Sequence, residues 1–222
     1  MAKKIPLHSF AHLPREIDEE IRGSLRVSNY AAGETIFMQG VSPQASYLVG
    51  SGRVKIVRVT PEGNESILCV RGPGDYFCPV PLLDSGAHLG TAIAMDKVTL
   101  LRIDKETFDE LCNNYPDFMT IVQGDYLGEV RNLIKRLEAY AFRSIRERVA
   151  FTLLEESQRQ KDRANQPAEI HITQQDLAGL VGASLESVSR ALNKLALKEG
   201  ILSLRRGRVT ICDPRRLEKI CN

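Results

Sequence analysis

The stretch ITQQDLAGLVGASLESVSR, residues 172 to 190, predicts two short helices joined by a tight turn. Thr173, followed three residues later by Asp176, forms a T-x-x-D capping box in which the threonine hydroxyl accepts from the backbone of the first turn. Gly182 permits the sharp turn, and Ser184 can cap the second helix. Apolar residues recur at helical spacing in both helices and predict stripes that pack together: Ile172, Leu177, Leu180, Val188, Leu192 and Leu195. The opposite face of the second helix is left free.

Three polar residues lie on that free face: Glu186, Ser189 and Arg190. Spacings of three and four residues place their side chains within about one helical turn of each other. Arginine can donate two hydrogen bonds to guanine, glutamate can accept one from cytosine, and serine can contact thymine. On an isolated helix these residues would be an ordinary solvated face, but here they follow a capped helix, a turn glycine and a second cap. The segment therefore predicts a helix-turn-helix that reads base edges in the DNA major groove.

The segment that follows, residues 200 to 212, alternates apolar and polar residues around Arg206 and Gly207 and predicts a short basic hairpin. Residues 143 to 222 contain fifteen Lys and Arg against ten Asp and Glu, a net charge of about +5, whereas residues 1 to 142 contain fifteen against eighteen, about −3. Positive charge concentrated in the C-terminal part suits contact with DNA phosphates. We expect four residues to contact phosphates: Thr173, Ser184, Arg206 and Arg208.

A heptad pattern of apolar residues lies upstream of the helix-turn-helix. Its members step by three and four residues and are separated by charged side chains: Leu127, Val130, Ile134, Leu137 and Ala141. The pattern predicts a helix from Pro116 to about Tyr140 that pairs with a second copy of the chain. The alternative is a long core helix within one protomer. A dimer is favoured because two half-sites one turn of DNA apart, about 34 Å, match a protein with two-fold symmetry.

The first half of the chain contains short segments of β character that are separated by glycines and turn pairs. The clearest of them are residues 47–49, 54–59, 66–70, 92–94 and 98–103. Regular short strands with glycine turns predict an antiparallel roll or barrel. Before them, Leu13, Ile17 and Ile21 recur at helical spacing and predict a helical lead-in. A further helix is expected over residues 142–160, and an exposed loop over residues 158–167.

Four stretches of the first half carry a recognisable pattern: AGETIF (32–37), YLVGSGRVKI (47–56), GNESIL (63–68) and GPGDYF (72–77). They resemble successive turns of the β-roll in the cyclic AMP receptor protein/FNR superfamily of bacterial transcription regulators. The heptad helix and the helix-turn-helix follow in the family's order, so the resemblance covers nearly all of the chain. It implies an α+β fold with an N-terminal antiparallel β-roll (a double-stranded β-helix or jelly roll) over residues 1–115, a dimerisation helix over 116–142 and a C-terminal winged helix-turn-helix over 143–222.

The same resemblance implies a homodimeric DNA-binding transcription regulator, in which a sensor roll adjusts the placement of two recognition helices on palindromic DNA. The three base-reading residues resemble those of the FNR branch, which favours TTGAT-type half-sites, and Leu185 stands where the cyclic AMP branch has an arginine. By family analogy RNA polymerase is an expected partner, contacted through exposed stretches such as residues 60–65 and 158–167.

The ligand-binding part of the roll departs from the cyclic AMP pattern. Pro79 replaces the glutamate that would bind the ribose hydroxyl, and Leu89 and Gly90 replace the Arg-Ser pair that would bind the phosphate. A buried phosphodiester without a charged partner would cost on the order of several kcal/mol. Leu133 and Ile134 likewise replace the hydroxyl residues that would meet the base. We therefore predict that the signal is not cyclic AMP.

Three kinds of signal stay open for the effector pocket, which we assign to Cys78, His88, Leu89, Leu133 and Ile134. The first is haem bound by Cys78 or His88, because haem-containing relatives that sense carbon monoxide have a cysteine at the position of Cys78. Their histidine two residues later is Val80 here. The second is thiol chemistry at Cys69 or Cys78, and the third is an apolar organic effector. A loop histidine such as His88 is ordinarily exposed, and a buried cysteine ordinarily packs as a small hydrophobe.

The five cysteines lack the spacing of a metal or redox motif. The first is Cys69, so the N-terminal cysteines that FNR-type oxygen sensing needs for an iron–sulfur cluster are missing, and no C-x-x-C pair predicts a zinc or dithiol site. We expect no metal other than the iron of haem, if haem is the cofactor. The absence of a signal peptide or a long apolar run predicts a cytoplasmic protein without a membrane segment.

An enzyme is not expected. The four histidines lack the His-x-His spacing of metal-dependent oxygenases built on similar rolls, and the chain has neither a phosphate-binding glycine loop nor a nucleophile elbow. The remaining alternative is a ligand-binding module that acts through a protein partner without DNA. Retention on heparin with a steep salt dependence would distinguish a DNA-binding protein from such a module.

Overall fold

The structure is a computed structural model that describes residues 23, 25–59, 65–161 and 169–221. The predicted helical lead-in, with Leu13, Ile17 and Ile21, lies outside the described residues. So do residues 60–64 of the first stretch expected to contact RNA polymerase and residues 162–167 of the predicted loop. The chain divides into two compact units, Met1–Arg131 and Asn132–Asn222.

The first unit is built from antiparallel strands. In chain order they are β1 (Arg26–Tyr30), β2 (Thr35–Phe37), β3 (Ala45–Ser51), β4 (Val54–Val59), β5 (Glu65–Arg71), β6 (Tyr76–Phe77), β7 (Thr91–Ala94) and β8 (Val98–Asp104). They form two four-stranded sheets in the orders β1-β8-β3-β6 and β2-β7-β4-β5. All five strand segments predicted from the sequence lie within these strands. The predicted antiparallel β-roll is confirmed.

Two apolar cores hold this unit together. Because successive residues of a strand point to opposite faces, Tyr47 and Val49 of β3 pack with Ile56 of β4 and Ala92 of β7 inside the roll, while Leu48 faces the other way. That second face is covered by three helices, α1 (Val80–Asp84), α2 (Lys105–Asn114) and α3 (Pro116–Phe142). Their buried contributions to the second core are Leu82, Phe108, Leu111, Phe118 and Val122.

The second unit begins within α3 and continues through the helix-turn-helix. Its further elements are α4 (Ile145–Lys161), β9 (Glu169–His171), α5 (Gln174–Val181), α6 (Leu185–Asn193), a π-helical turn (Lys194–Lys198), β10 (Leu202–Arg205), β11 (Arg208–Ile211) and α7 (Pro214–Cys221). The strands form a sheet in the order β10-β11-β9. The predicted apolar stripes are confirmed, since Ile172, Leu177, Leu180, Val188, Leu192 and Leu195 are all buried.

Two helix bounds differ from the predicted ones. The helix expected from Phe142 begins at Ile145, because Ser144 and Glu147 form an S-x-x-E capping box: the Ser144 backbone donates to the Glu147 carboxylate at 2.7 Å, and the Glu147 backbone donates to the Ser144 hydroxyl at 3.4 Å. This helix ends at Lys161, so the first four residues of the loop predicted from Gln158 are helical. No helix in the described ranges is both long and apolar enough to span a membrane.

Candidate functional site

The turn between α5 and α6 has the local chemistry predicted from the sequence. The Thr173 hydroxyl accepts from the Asp176 backbone at 3.0 Å and donates to the Asp176 carboxylate at 2.6 Å, which starts α5. Gly182 ends α5 with φ +63, a left-handed conformation that a residue without a side chain adopts without strain. The Ser184 hydroxyl then accepts from the Ser187 backbone at 3.3 Å and starts α6. These contacts fix where α6 begins.

The free face of α6 presents the predicted base-reading residues. The side chains of Glu186 and Arg190 are 80% and 71% exposed, and Ser189, between them on the helix, is partly exposed. An Arg190 guanidinium nitrogen lies 3.7 Å from a Glu186 carboxylate oxygen. An exposed pair of this kind contributes at most about 0.5 kcal/mol, so both side chains can exchange this contact for base edges. The opposite side of α6 is buried through Val188 and Leu192.

The four residues expected to contact phosphates are all exposed, but they differ in their present partners. The hydroxyls of Thr173 and Ser184 serve as helix caps, which places both at positive ends of helix dipoles. Arg206 lies at the tip of the β10–β11 hairpin, where Gly207 has φ +70. Arg208 forms an ion pair, because its Nη1 lies 3.4 Å from both carboxylate oxygens of Glu169.

A groove of about 220 Å³ lies between α5 and the hairpin. Apolar side chains such as Leu177 and Leu204 line it, together with Thr173 at the start of α5. Arg206 and Arg208 also belong to its lining. A phosphate group at the mouth of such a groove would meet both a helix N-terminus and cationic side chains.

Helix α3 carries a stripe of exposed apolar side chains. Leu127, Ile134 and Leu137 of the predicted heptad pattern are 59%, 58% and 66% exposed, Ala141 is exposed, and Val130 is half-buried. Neighbouring Leu133 is 51% exposed. Single exposed apolar residues are common on protein surfaces, but a continuous stripe along one helix is typical of a partner-binding face.

Cys78 lies next to the aromatic core of the roll, at the end of β6. Its backbone has φ +64, an uncommon conformation for a residue with a side chain. Burial, followed by the nearby Cys69 thiol, raises the pKa of the Cys78 thiol far above its ordinary value, while Arg71 acts in the opposite direction. Because the thiolate is the reactive form, the surroundings of Cys78 disfavour thiol chemistry at neutral pH.

His88 is buried, unlike the exposed position that is ordinary for a loop histidine. The residue is 4% exposed, and its imidazole ring is stacked on Phe37 with 3.8 Å between ring centroids. Its backbone donates to Val41 and accepts from Gly40, so the loop is paired with the segment after β2. The buried Nδ1 has no hydrogen-bond partner within the described part of the chain. Leu89, the next residue, is 65% exposed.

Burial lowers the pKa of His88 below 6.5, which gives the stability of the protein a pH dependence. The unfolded chain takes up a proton near pH 6.5 more readily than the folded chain, so stability falls as the pH decreases below this value. At pH 5.5 one such group contributes at most about 1.4 kcal/mol. We expect His88→Phe, which keeps the stacking on Phe37, to lose less stability than the wild type between pH 7.5 and 5.5 in urea unfolding. His171→Gln, at an exposed histidine, is the control, and an equal pH dependence in all three proteins would contradict this assignment.

A partly buried ion pair links the roll to α3, and the sequence analysis did not predict it. Arg71 lies at the end of β5, two residues after Cys69 and therefore on the same face of the strand. Its side chain is 13% exposed, and its Nη1 donates to the Glu129 carboxylate of α3 at 2.6 Å. The roll thus contains a partly buried cation, but this cation is already paired with Glu129. A long-range pair between a strand and a helix leaves no local pattern in the sequence.

The haem ligands predicted from the sequence fit a haem iron only in part. His88 is buried, favours its neutral form and has an unpartnered ring nitrogen, which are properties of a metal ligand. Cys78 is partly buried against an apolar core, which raises the pKa of its thiol and favours the protonated form, whereas a metal-bound cysteine is a thiolate. Within the described ranges, no three His, Cys, Asp or Glu side chains come together as a metal-binding cluster.

Sequence comparison assigns both compact parts to known domain families. The family model of the cyclic nucleotide-binding domain matches residues 27–115. The family model of the Crp-like helix-turn-helix domain matches residues 147–220. The second match contains every residue to which we assigned DNA contact.

Individual relatives extend the similarity over most of the chain. The chain is 34% identical over 191 residues to the cyclic AMP receptor protein of Thermus thermophilus, covering 86% of each protein. It is 25% identical over 216 residues to the nitrogen fixation regulation protein FixK of Bradyrhizobium diazoefficiens, covering 96% of this chain and 85% of the relative. The structure of FixK2 from Bradyrhizobium japonicum aligns with a TM-score of 0.80 at 21% identity, over 89% of this chain and 98% of that chain, which is a likeness of fold. The chain therefore belongs to the CRP/FNR family of DNA-binding transcription regulators.

Proposed function

We propose that this regulator is a homodimer that reads palindromic DNA with TTGAT-type half-sites. The observation that supports the proposal most is the exposed set of Glu186, Ser189 and Arg190 on a helix whose other side is buried. Selection from random duplexes by the purified protein is expected to enrich an inverted repeat with half-site centres about 34 Å apart. Enrichment of a single unrepeated site would contradict the dimer, and the absence of enrichment would contradict base reading.

The apolar stripe of α3 supports the dimer. Leu127, Ile134 and Leu137 expose most of their side chains, and their heptad spacing suits knobs-into-holes packing against an identical helix. Burying one such side chain gains about 1.5–3 kcal/mol. In a symmetric helix pair the same side chain is buried once in each protomer, so each position contributes twice to the free energy of association.

We expect the two arginines assigned to phosphate contacts, Arg206 and Arg208, to contribute differently to the salt dependence of DNA binding. We expect Arg206→Ala to weaken binding to all duplexes and to lower the slope of log K against log salt by about 1, because one phosphate contact is lost. Arg208→Ala should lower the slope by less, because Glu169 already neutralises this guanidinium. Fluorescence titration at four salt concentrations measures both slopes. A change in sequence preference in Arg206→Ala, or no change in its slope, would rule out the phosphate assignment.

We further propose that the signal is not cyclic AMP, although the relative from Thermus thermophilus is a cyclic AMP receptor protein. Pro79, Leu89 and Gly90 provide no charged group for the ribose or the phosphate. Arg71 does not replace them, because its guanidinium is paired with Glu129. Calorimetric titration with cyclic AMP is expected to give no binding heat, and saturable binding in the micromolar range would contradict this proposal.

Haem sensing is the second candidate, and the unpartnered Nδ1 of the buried His88 is the observation that favours it. Protein purified from cells with adequate haem supply would then show a Soret band that His88→Phe abolishes. Without a Soret band, two alternatives remain: an apolar organic effector in the pocket, and thiol chemistry at Cys69. The raised pKa of Cys78 disfavours thiol chemistry at Cys78 itself. Leu133 and Ile134 stay predicted pocket residues.

RNA polymerase remains the proposed protein partner by family analogy. The second of the two stretches predicted to contact it, residues 158–167, begins on α4. There Gln158 is exposed and Arg159 is half-buried. Charge reversal at Arg159 is expected to reduce transcription without reducing DNA binding. Unaltered transcription would remove this stretch from the proposed contact.

A further inference from the structure

We propose that Tyr140 and Arg148 are positioning residues for DNA reading, which fix the turn between α5 and α6 relative to α3. The last carbonyls of a helix have no partner within that helix. At the end of α5, the Tyr140 hydroxyl donates to the Leu180 carbonyl at 2.8 Å, and Arg148 Nη1 donates to the Val181 carbonyl at 3.0 Å. Side chains from α3 and α4 therefore satisfy the end of α5.

The ring of Tyr140 also packs closely over the turn. A Cβ atom added at Gly182 would lie 3.0 Å from Tyr140 Cε1, closer than ordinary van der Waals contact. The Arg148 guanidinium lies 5.4 Å from the centroid of the same ring, within the range of a cation–π contact. Gly182 thus allows both the left-handed backbone at the end of α5 and the close approach of the Tyr140 ring. The two side chains contact each other as well as the turn, so they act as one unit.

The location of Tyr140 gives this contact a role beyond stability. Tyr140 lies on α3 within the second compact unit, three residues after Leu137 of the exposed apolar stripe. The turn that it holds leads directly into α6 and its base-reading residues. In a dimer paired through α3, the hydroxyl of Tyr140 would couple the spacing of the two recognition helices to the helix pair. This inference rests on the proposed homodimer.

Spacing discrimination is the property that such a coupling controls. A dimer with rigidly positioned recognition helices binds a palindrome of the correct spacing more tightly than one with an inserted base pair. One hydrogen bond contributes about 0.5–1.5 kcal/mol, and the dimer contains two copies. The loss of both bonds at the low end of this range corresponds to about a fivefold change. We therefore expect Tyr140→Phe to lower the affinity ratio between the two duplexes about fivefold.

The experiment compares the full-length wild type with Tyr140→Phe on the selected palindrome, on the palindrome with one inserted base pair and on a single half-site. Tyr126→Phe is the matched control, because it removes a phenol hydroxyl from another exposed position of α3 and should leave the ratio unchanged. Arg148→Met should shift the ratio in the same direction as Tyr140→Phe, and the double variant should be less than additive.

Three outcomes separate this inference from the proposed function. A reduced ratio in Tyr140→Phe, with half-site affinity and dimer mass retained, supports the positioning role. If Tyr140→Phe keeps the wild-type affinity ratio, the positioning role is overturned, even if the melting temperature of the variant is lower. The proposed homodimer is not affected by that result. A wild type that binds all three duplexes equally overturns both proposals.

Discussion

Ile134→Asp is expected to convert the dimer to a monomer at micromolar concentration. The substitution removes one apolar side chain from each protomer at a position that is 58% exposed in the single chain. Losing two burials of about 1.5–3 kcal/mol each raises the dimer dissociation constant roughly 10²- to 10⁴-fold. Two facing carboxylates add repulsion. Sedimentation velocity across a concentration series measures the shift.

Lys135→Asp is the control for this experiment. It places the same carboxylate one residue along α3, about 100° around the helix and away from the apolar stripe. Both variants should keep the helical circular dichroism of the wild type. If Ile134→Asp still sediments as a dimer, or if both variants dissociate equally, the stripe of α3 is not the dimer interface.

Arg190→Ala is expected to remove the sequence preference at one base pair of each half-site. Its side chain is 71% exposed on α6, and its guanidinium lies 3.7 Å from the Glu186 carboxylate. Losing a bidentate contact to one guanine should cost about 1–3 kcal/mol of specific binding, or about 5- to 150-fold in affinity, and relax the preference at one G·C pair. Binding to unrelated duplexes should change much less. Competition titrations with each base substituted in turn measure both effects.

Arg206→Ala provides the comparison, because it removes the same side chain from the hairpin tip instead of the recognition helix. Uniform weakening is expected there, and selective weakening at one base pair in Arg190→Ala. If Arg190→Ala weakens all duplexes equally, Arg190 contacts phosphates and the base-reading assignment is incorrect. In that case we also expect Glu186→Gln to leave the preference for particular base pairs unchanged.

The features that local sequence determines were predictable. Caps such as Thr173 and Ser184, the turn at Gly182 and the apolar stripes of α5 and α6 all lie within a few residues of the groups that they contact. The exposed face of α6 followed from helical spacing alone. The strands of the roll were found for the same reason, since alternation and turn glycines act at short range.

The features that depend on distant parts of the chain were not predictable. His88 is buried because its loop pairs with residues 40 and 41 and its ring stacks on Phe37, and no local pattern marks that pairing. The Arg71–Glu129 pair joins residues 58 positions apart. Nothing in the sequence around Tyr140 predicts the hydrogen bond that its hydroxyl donates to the end of α5. Each of these contacts is tertiary, so single-sequence periodicity carries no information about it.

The mass of the complex between the wild-type protein and its selected palindrome shows directly how many chains read one symmetric site. Sedimentation equilibrium with excess protein and competitor DNA is expected to give two 24.8 kDa chains per palindromic duplex, and weaker binding to a duplex with one half-site. One chain per palindrome, with equal affinity for the half-site duplex, would contradict a dimer that reads both halves of a symmetric site.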